Sequence, residues 1–358
     1  NPETGEISPV AMYEKTSAGI SIPLYFEANG SAFVVFRRDT KSCDRVSSFT
    51  RDGQPVLPLA RPPVIKIQKA TYGVPGDAAH TRDVRAKVQA RVEQGEVDFQ
   101  VGKLAAGDDP AYGIVKTLKV EYTADDRPFT LSGQDTDAIN LLAAVPEPGR
   151  PAEVRGDSAG RLKMVVSRPG HYELKTAAGK TRQVEVAAVP SPMDISGSWQ
   201  VQFPPKRGAP PEMTLDHLIS LSDSTNAGVK YFSGTAIYTK TFDWNPPAAG
   251  ENQKAEYWLD LGDVRVMARV TLNGQDLGVL WKRPFRVNIS SALKPGVNTL
   301  EVRVADLWPN RLIGDAALPE AERFTWSSYM PFTKDSPLPK SGLLGPVAIQ
   351  MREAIALP

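Results

Sequence analysis

Three groups of aromatic and polar residues stand out in this sequence as carriers of recognition chemistry. They are Trp281-Lys-Arg283, Trp308-Pro-Asn-Arg311 and Phe324-Thr-Trp-Ser-Ser-Tyr329. A sugar presents an apolar face of C–H groups and a rim of hydroxyls, so a flat indole beside Arg and Asn donors can recognise both features. The candidate residues for contacting carbohydrate, or for docking onto another domain, are therefore Trp281, Arg283, Trp308, Asn310, Arg311, Trp326 and Tyr329.

A purely structural role competes with this interpretation. Tryptophan is highly buried on average, so Trp281 and Trp308 would then be interior residues whose indole N–H groups bond to the backbone. The two arginines of these groups would pair with Asp306 or Asp315 and hold loops in place. The sequence leaves both interpretations open.

The patterns of several other chemistries are weak or missing. His80, His171 and His217 are far apart and have no carboxylate or cysteine at ligand spacing, which argues against a histidine-based metal site. We find no Gly-x-Ser-x-Gly elbow and no phosphate-binding glycine-rich loop. The stretch 133–137 suggests a structural calcium loop, but the spacing of an EF-hand is absent and a solvated turn is favoured. We therefore predict no cofactor.

Glycoside hydrolysis would require a pair of carboxyl groups about 5 to 9.5 Å apart on opposite sides of a sugar. Five acids near predicted strand ends are the candidates: Asp260, Asp263, Asp306, Asp315 and Glu322. An acid beside a strand end is usually a turn or surface residue, and the sequence places no two of these at the required distance. We assign no catalytic residue, and whether the chain is itself an enzyme stays open.

Composition and charge restrict the classes of partner. The 358 residues contain 42 basic and 41 acidic side chains, a net charge of +1, which argues against binding to nucleic acid or to an anionic membrane. No run approaches the ~18 consecutive apolar residues of a membrane span. The 31 prolines and 28 glycines indicate many short elements joined by turns.

Alternation of apolar and polar residues predicts β-strands along the whole chain. The clearest case is 264–272, which ends in Asn273-Gly274, the dipeptide of a type I′ hairpin turn. We also predict a strand at 20–26, a strand buried on both faces at 32–36, and a hairpin of 84–92 with 97–101. Short strands without βα alternation predict an all-β fold of tandem β-sandwiches.

Four segments carry a resemblance to a known family: 261–278, 281–285, 293–298 and 307–315. Together they resemble the galactose-binding-like jelly roll of large sugar hydrolases, and most of all the C-terminal region of glycoside hydrolase family 106, the α-L-rhamnosidases. The resemblance covers 191–350 well and 7–40 more loosely. It implies the jelly roll at 191–358. We also predict a β-sandwich part at 1–62 completed by 150–190, and an inserted β-sandwich-like domain at 63–149 that has no counterpart in the usual layout of the family.

The resemblance also implies a function and its limits. The family's catalytic carboxylates lie in an N-terminal (β/α)₈ barrel of ~250 residues, which this chain does not contain. The expectation is a non-catalytic portion of an exported, periplasmic or extracellular α-L-rhamnosidase-like enzyme. Its expected partners are carbohydrate and the barrel of a longer parent chain. A purely structural docking module, a portion of a family 2 enzyme such as a β-galactosidase, and a hydrolase using two acids of the sandwich are the alternatives.

Overall fold

The structure, a computed structural model, describes most of the chain. The described residues are 1–2, 5, 7–17, 19–24, 26–27, 29–36, 44–56, 63–142, 151–156, 161–246 and 253–357. Among them no helix is long and apolar enough to cross a membrane. The domain boundaries predicted at residues 62 and 149 lie outside the described residues.

The secondary structure is dominated by short strands, which we number in chain order. The first thirteen are β1 (Glu14–Thr16), β2 (Gly19–Ser21), β3 (Val46–Arg51), β4 (Gln54–Pro55), β5 (Ile65–Gly73), β6 (Thr81–Asp83), β7 (Asp98–Gln100), β8 (Thr117–Ala124), β9 (Arg127–Gln134), β10 (Ala138–Asn140), β11 (Ala152–Gly156), β12 (Leu162–Val166) and β13 (Gly170–Thr176). The others are β14 (Thr181–Val186), β15 (Met193–Asp194), β16 (Trp199–Gln202), β17 (Glu212–Leu215), β18 (Thr235–Trp244), β19 (Gln253–Asp260), β20 (Asp263–Arg265), β21 (Met267–Leu272), β22 (Gln275–Leu280), β23 (Arg286–Asn288), β24 (Gly296–Ala305), β25 (Gly342–Gly345) and β26 (Ala348–Ala356). The α-helices are α1 (Arg85–Glu93), α2 (Ala227–Lys230) and α3 (Pro309–Asp315).

The chain forms two compact units. The larger unit comprises Asn1–Leu57 and Pro151–Pro358, and the smaller comprises Pro58–Arg150. Both are built from antiparallel sheets. The architecture is therefore all-β, as the alternation pattern predicted.

The larger unit contains the jelly-roll sandwich. One sheet has the strand order β17-β16-β18-β24-β21-β22, and the facing sheet has the order β11-β12-β26-β19-β23 with β15 beside β26. Inward side chains of both sheets form one apolar core, represented by Trp199, Tyr238 and Val302 from the first sheet and Leu259 and Ile349 from the second. Alternation along β21 and β24 thus buries one face of each strand in this core and leaves the other face more exposed.

A second core of the larger unit lies under the sheet β14-β13-β3-β4. Phe49 of β3 and Tyr172 of β13 lie 6.0 Å apart between ring centroids, and they pack with Met164 and Val166 of β12. Since β12 also pairs with β26 of the jelly roll, one continuous sheet contributes to both cores. The segments before residue 57 and after residue 150 therefore build one sandwich together.

The hairpin predicted for 84–92 and 97–101 is wrong. Residues Arg85–Glu93 form α1, and Asp98–Gln100 pairs instead with β10. In this segment the valines recur at every fourth residue while apolar residues also alternate, so both periods fit the pattern. Val84 and Val88 are buried against the sheet β6-β5-β8-β9, whereas Ala86 and Ala90 are exposed, so the helical period decides.

The predictions for the N-terminal apolar segments are also wrong. The run 32–36 was expected to be a strand buried on both faces, but it forms no strand and Phe33 is 80% exposed. Among the described residues of 20–26, only Ile20 and Ser21 belong to a strand, β2, and Ile20 and Leu24 are exposed. Burial needs a covering surface, and the described residues provide none for these segments.

The predicted turn at the centre of the jelly roll is confirmed. Asn273 and Gly274 have φ values of 51° and 82° and join β21 to β22, as a type I′ turn requires. The residues after β24 differ from the prediction, because 309–315 form the short helix α3 instead of a loop. Pro309 occupies the first turn of α3, where its missing N–H leaves no hydrogen bond unmade.

Candidate functional site

The candidate residues lie where several strands of the jelly roll end together. Thr235, the first residue of β18, and Met267, the first of β21, both pair with Ala305, the last of β24. The end of β22 is level with them, since Leu280 pairs with Ala268. The loops that follow β22 and β24 therefore leave the sheet at the same end, which is where a rigid scaffold displays functional side chains.

Four of the predicted site residues are exposed aromatic side chains. Trp281 and Trp308 follow β22 and β24 and are 52% and 57% exposed. Trp326 and Tyr329 are 79% and 74% exposed, and the backbone N–H of the neighbouring Thr325 donates to Asp315 of α3. We call these four residues the aromatic loop end. Their exposure contradicts the alternative interpretation, in which Trp281 and Trp308 are interior residues.

Arg283 lies on the exposed surface beside the aromatic loop end. Its Nη2 donates to Asp263 Oδ1 at 2.6 Å, and Arg265 donates to the other oxygen of this carboxylate at 2.8 Å. The partner differs from the Asp306 or Asp315 that the sequence suggested. Exposed pairs of this kind contribute little to stability, so the guanidinium can exchange partners at low cost.

Asn310 and Arg311 are buried and therefore do not belong to the exposed surface. Asn310 Nδ2 donates to the carbonyl of Pro339 at 2.9 Å. Arg311 is 4% exposed, and its Nε lies 3.0 Å from Asp315 Oδ1. For these two residues the structural interpretation fits the observed contacts, because both join α3 to neighbouring segments beneath the aromatic loop end.

The Arg311 guanidinium is enclosed by aromatic rings as well as by its carboxylate. Its Cζ lies 4.7 Å from the centroid of Phe324 and 6.0 Å from that of Tyr231. Burial lowers the pKa of Arg311, while the charge of Asp315 opposes this change. Cation–π contact and the buried carboxylate together keep the charged group in the interior.

Asp306, directly after β24, is a carboxylic acid in an unusual setting. Its Oδ1 accepts from the N–H of Gly342 at 2.7 Å, and its Oδ2 is buried without a hydrogen-bond partner among the described residues. Burial raises the pKa of Asp306 to about 7, and the bond from Gly342 opposes this rise. Such a pKa is typical of a general acid, but an acid whose free oxygen is enclosed cannot reach a substrate.

The other acids suggested for hydrolysis show no catalytic arrangement. Asp260 Oδ2 accepts from Arg286 Nε at 2.8 Å and from Gln350 Nε2 at 3.1 Å. Asp263 and Asp315 are held by arginines as described, and Glu322 lies in an exposed 3₁₀ turn. These contacts show Asp260, Asp263 and Asp315 as partners of arginines within the fold.

The predicted calcium loop at 133–137 has internal partners for its acids. Asp135 accepts from the hydroxyl of Tyr72 and lies 3.2 Å from Lys116 Nζ. Asp137 Oδ2 accepts from the N–H of Gln134 at 2.7 Å. Across the described part of the chain, no group of three or more His, Cys, Asp and Glu side chains could hold a metal ion.

Some exposed residues at this end were missed by the sequence interpretation. Met267, Leu307 and Met330 are exposed and extend the apolar surface around the aromatic loop end. Met267 belongs to a strand whose other face is buried, so alternation indicated its outward direction. Its position beside Ala305 depends on strand register, which the sequence did not supply.

The comparisons with known proteins agree with this architecture. Residues 220–330, which include most of the first jelly-roll sheet and α3, match the family model described as glycosyl hydrolase 2 galactose-binding domain-like. This chain is related to glycoside hydrolases. Its jelly roll is thus a galactose-binding-like domain.

This chain aligns with only part of each of its relatives. A "putative beta-glucuronidase" of Formosa agariphila is 35% identical over 309 residues, which are 80% of this chain and 26% of that protein. A rhamnosidase structure from Novosphingobium sp. PP1Y aligns over 74% of this chain and 30% of its own, with 25% identity and a TM-score of 0.41. A Ruminococcus gnavus beta-glucuronidase aligns over 46% and 29%, with 20% identity and a TM-score of 0.32. The chain thus spans about a quarter to a third of these relatives.

Proposed function

We propose that this chain is a non-catalytic β-sandwich portion of a glycoside hydrolase and that its aromatic loop end docks onto the catalytic domain of the parent enzyme. The observation that carries the proposal is the joint exposure of Trp281, Trp308, Trp326 and Tyr329 above a buried polar support. Exposing four large rings is unfavourable in water, because each loses the free energy of burial. A partner surface that covers the four rings would restore this free energy of burial.

The residues around the four rings favour a protein partner. Met267, Leu307 and Met330 add aliphatic surface, and methionine and aromatic residues are enriched in the cores of protein interfaces. The salt-bridged Arg283 lies at the rim, where interfaces are polar. Asn310 and Arg311 support the proposal indirectly, since they fix the backbone beneath the rings.

A second candidate is direct contact with a glycan. It is favoured by the flat faces of exposed indole rings, which can stack on the C–H face of a sugar. In this case the guanidinium N–H groups of Arg283 donate hydrogen bonds to the hydroxyls of the sugar. The two candidates place different partners on the same side chains, so one experiment can separate them.

For the parent activity, we propose α-L-rhamnosidase, with a family 2 type activity as the alternative. The resemblance of 261–315 to family 106 supports the first. The name of the Formosa agariphila relative, a putative beta-glucuronidase, and the family 2 domain at 220–330 support the second. Release of p-nitrophenol by the parent enzyme from α-L-rhamnoside and β-D-glucuronide substrates distinguishes them. We further propose that the parent is exported, because polymeric glycans are encountered outside the cytoplasm.

Hydrogen–deuterium exchange tests which partner covers the aromatic loop end. If the end docks onto the catalytic domain, amides of 307–308 and 324–330 exchange at least about tenfold more slowly in the parent enzyme than in this chain alone. If it contacts glycan, slowing appears only after an oligosaccharide is added. The turn at Asn273-Gly274, at the opposite end of the same strands, is the internal control and should exchange equally in all samples. Equal exchange of the aromatic segments under every condition would remove both candidates.

A further inference from the structure

A cavity on the outer face of the jelly roll is lined by residues that do not belong to the aromatic loop end. Its volume is about 540 Å³, within the range of about 300 to 1,000 Å³ that is typical of small-molecule sites. It lies between the outer face of the first sheet and the loop 203–211 that joins β16 to β17. The charged residues lining it are Arg207 and Arg303, and no acid lines it.

Strand register places three side chains side by side on the floor of the cavity. Gln202 of β16 pairs with Ile237 of β18, and Ile237 pairs with Arg303 of β24. Directly paired residues point to the same face, so these three side chains form a row across the outer face. At about 4.8 Å per strand, the row separates Gln202 from Arg303 by about 10 Å. Arg207 is placed beside this row by the loop.

The two arginines have unused hydrogen-bonding capacity. Arg303 Nε donates to Glu301 Oε1 at 2.7 Å, and its terminal amino groups have no hydrogen-bond partner among the described residues. Arg207 makes neither a hydrogen bond nor an ion pair within the part of the chain that the structure describes. Two guanidinium groups that face one cavity with free donors form a site for an anion, because a planar fork matches a carboxylate.

Another arginine of the same row shows the contrast. Arg269 pairs with Arg303 across β21 and β24, and both its Nε and its Nη2 donate to Asp276. The bonds from Arg269 hold the pKa of Asp276 at about 2. Arg269 does not line the cavity, and its fork is already occupied by a carboxylate. The face therefore carries Arg269, whose fork is occupied by Asp276, next to Arg303, which uses only its Nε on Glu301, and Arg207, which has no partner among the described residues.

The remaining walls fit a sugar ring. Pro204 and Ile237 provide apolar surface, while the side chains of Gln202 and Thr235 provide hydrogen-bonding groups. A saccharide needs both, since its ring has an apolar face and a polar rim. The combination of such walls with the guanidinium of Arg207 and the terminal amino groups of Arg303, which Glu301 leaves free, suits a saccharide unit that bears a negative charge.

We propose that this cavity binds a saccharide unit carrying a carboxylate, that is, a uronate residue of an acidic glycan. Arg303 and Arg207 bind the carboxylate, and Gln202 and Thr235 bind ring hydroxyls. The saccharide part of the inference rests on the proposed relation to glycan hydrolysis, whereas the anion part rests on the two arginines alone. The site is distinct from the aromatic loop end in its residues.

Calorimetric titration of this chain with methyl β-D-glucuronide and methyl β-D-glucoside tests the proposal, because the two probes differ only in the carboxylate. We expect binding of the glucuronide, at least about tenfold weaker binding of the glucoside, and a loss of affinity between 50 and 300 mM NaCl. Arg207→Gln and Arg303→Gln should each lower glucuronide affinity about tenfold. Arg303→Lys should recover only part of it, since lysine keeps the charge but lacks the fork.

Matched controls separate this proposal from the proposed function. Arg269→Gln removes a charge from the same face and should leave glucuronide affinity unchanged, as should Trp326→Ala at the aromatic loop end. Equal affinity for glucoside and glucuronide, no glucuronide binding at millimolar concentration, or unchanged binding in both arginine variants would each overturn the inference. If acetate or inorganic sulfate binds as tightly as the glucuronide, the cavity is an anion site without saccharide recognition. This result overturns the saccharide part of the inference. It does not affect the proposed docking of the aromatic loop end.

Discussion

Arg311 and Asp315 form a buried ion pair within one turn of α3, with Arg311 Nε 3.0 Å from Asp315 Oδ1. The other oxygen of Asp315 accepts from the N–H and the hydroxyl of Thr325, at 2.9 and 2.6 Å. One carboxylate thus ties the helix to the segment that bears Trp326 and Tyr329. Because both charges are withdrawn from water, each depends on the other.

Removing one member of this pair should destabilise the larger unit strongly. Arg311→Met or Asp315→Asn leaves an uncompensated buried charge, and we expect a loss of about 3–5 kcal/mol in the free energy of unfolding, measured with urea. The matched control is Arg269→Gln, which breaks an exposed pair and should cost less than about 1 kcal/mol. Equal losses in the buried and exposed variants would show that the buried pair is not the support described here.

Gly342 is required where β25 passes over a buried tyrosine. Its φ is +89°, and an added Cβ would lie 2.4 Å from the hydroxyl of Tyr238 and 3.0 Å from a carbon of Leu221. Gly342→Ala should therefore destabilise by about 3 kcal/mol or more, through overpacking and backbone strain together. Gly179→Ala is the control, because its φ of +84° is similar but nothing lies within 4 Å of an added Cβ. A similar melting temperature for the two variants would contradict the close-packing argument.

Asp306 should make stability depend on pH. Since burial raises its pKa from 3.8 to about 7, the folded state favours the protonated acid. Protonation of Asp306 therefore stabilises the folded state fully below about pH 4, by on the order of 2–4 kcal/mol. This stabilisation is lost as the pH rises through 7 and does not change further above that pH. Asp306→Asn keeps an oxygen for Gly342 but cannot ionise. The difference in unfolding free energy between wild type and variant should change across pH 4–8, and parallel curves would rule out the buried acid as its source.

The helix α1 in the smaller unit can be tested against the hairpin that alternation suggested. In α1, Val88 is buried while Ala86 and Ala90 are exposed. Val88→Ala should cost about 1.5–3 kcal/mol, whereas Ala86→Lys and Ala90→Lys should change stability by less than about 0.5 kcal/mol. In a hairpin all three residues would share one buried face. Strong destabilisation by either lysine would therefore contradict the helix.

The two N-terminal apolar runs show how far a hydrophobic pattern can be interpreted. Residues 32–36 have the composition of a doubly buried strand, yet Phe33 and Phe36 are exposed. An apolar composition indicates that burying a segment is favourable. It does not indicate which surface buries the segment, or whether the described residues form that surface. The same reasoning applies to Trp281 and Trp308, for which the sequence left burial and exposure open and which are exposed in the jelly roll.

The sequence by itself determined the all-β architecture, most strands of the jelly roll and the turn at Asn273-Gly274. These features depend on local periodicity and on backbone conformations that few residues adopt, so neighbouring residues are enough to specify them. Only the tertiary structure decided which candidate side chains are exposed: it buried Asn310 and Arg311 with α3 and left Trp308, Trp326 and Tyr329 at the surface. It also placed Arg207 and Arg303 on the lining of one cavity, through strand register and the loop 203–211. Such long-range pairings depend on which segments pack together, and that information is not contained in any short stretch of the chain.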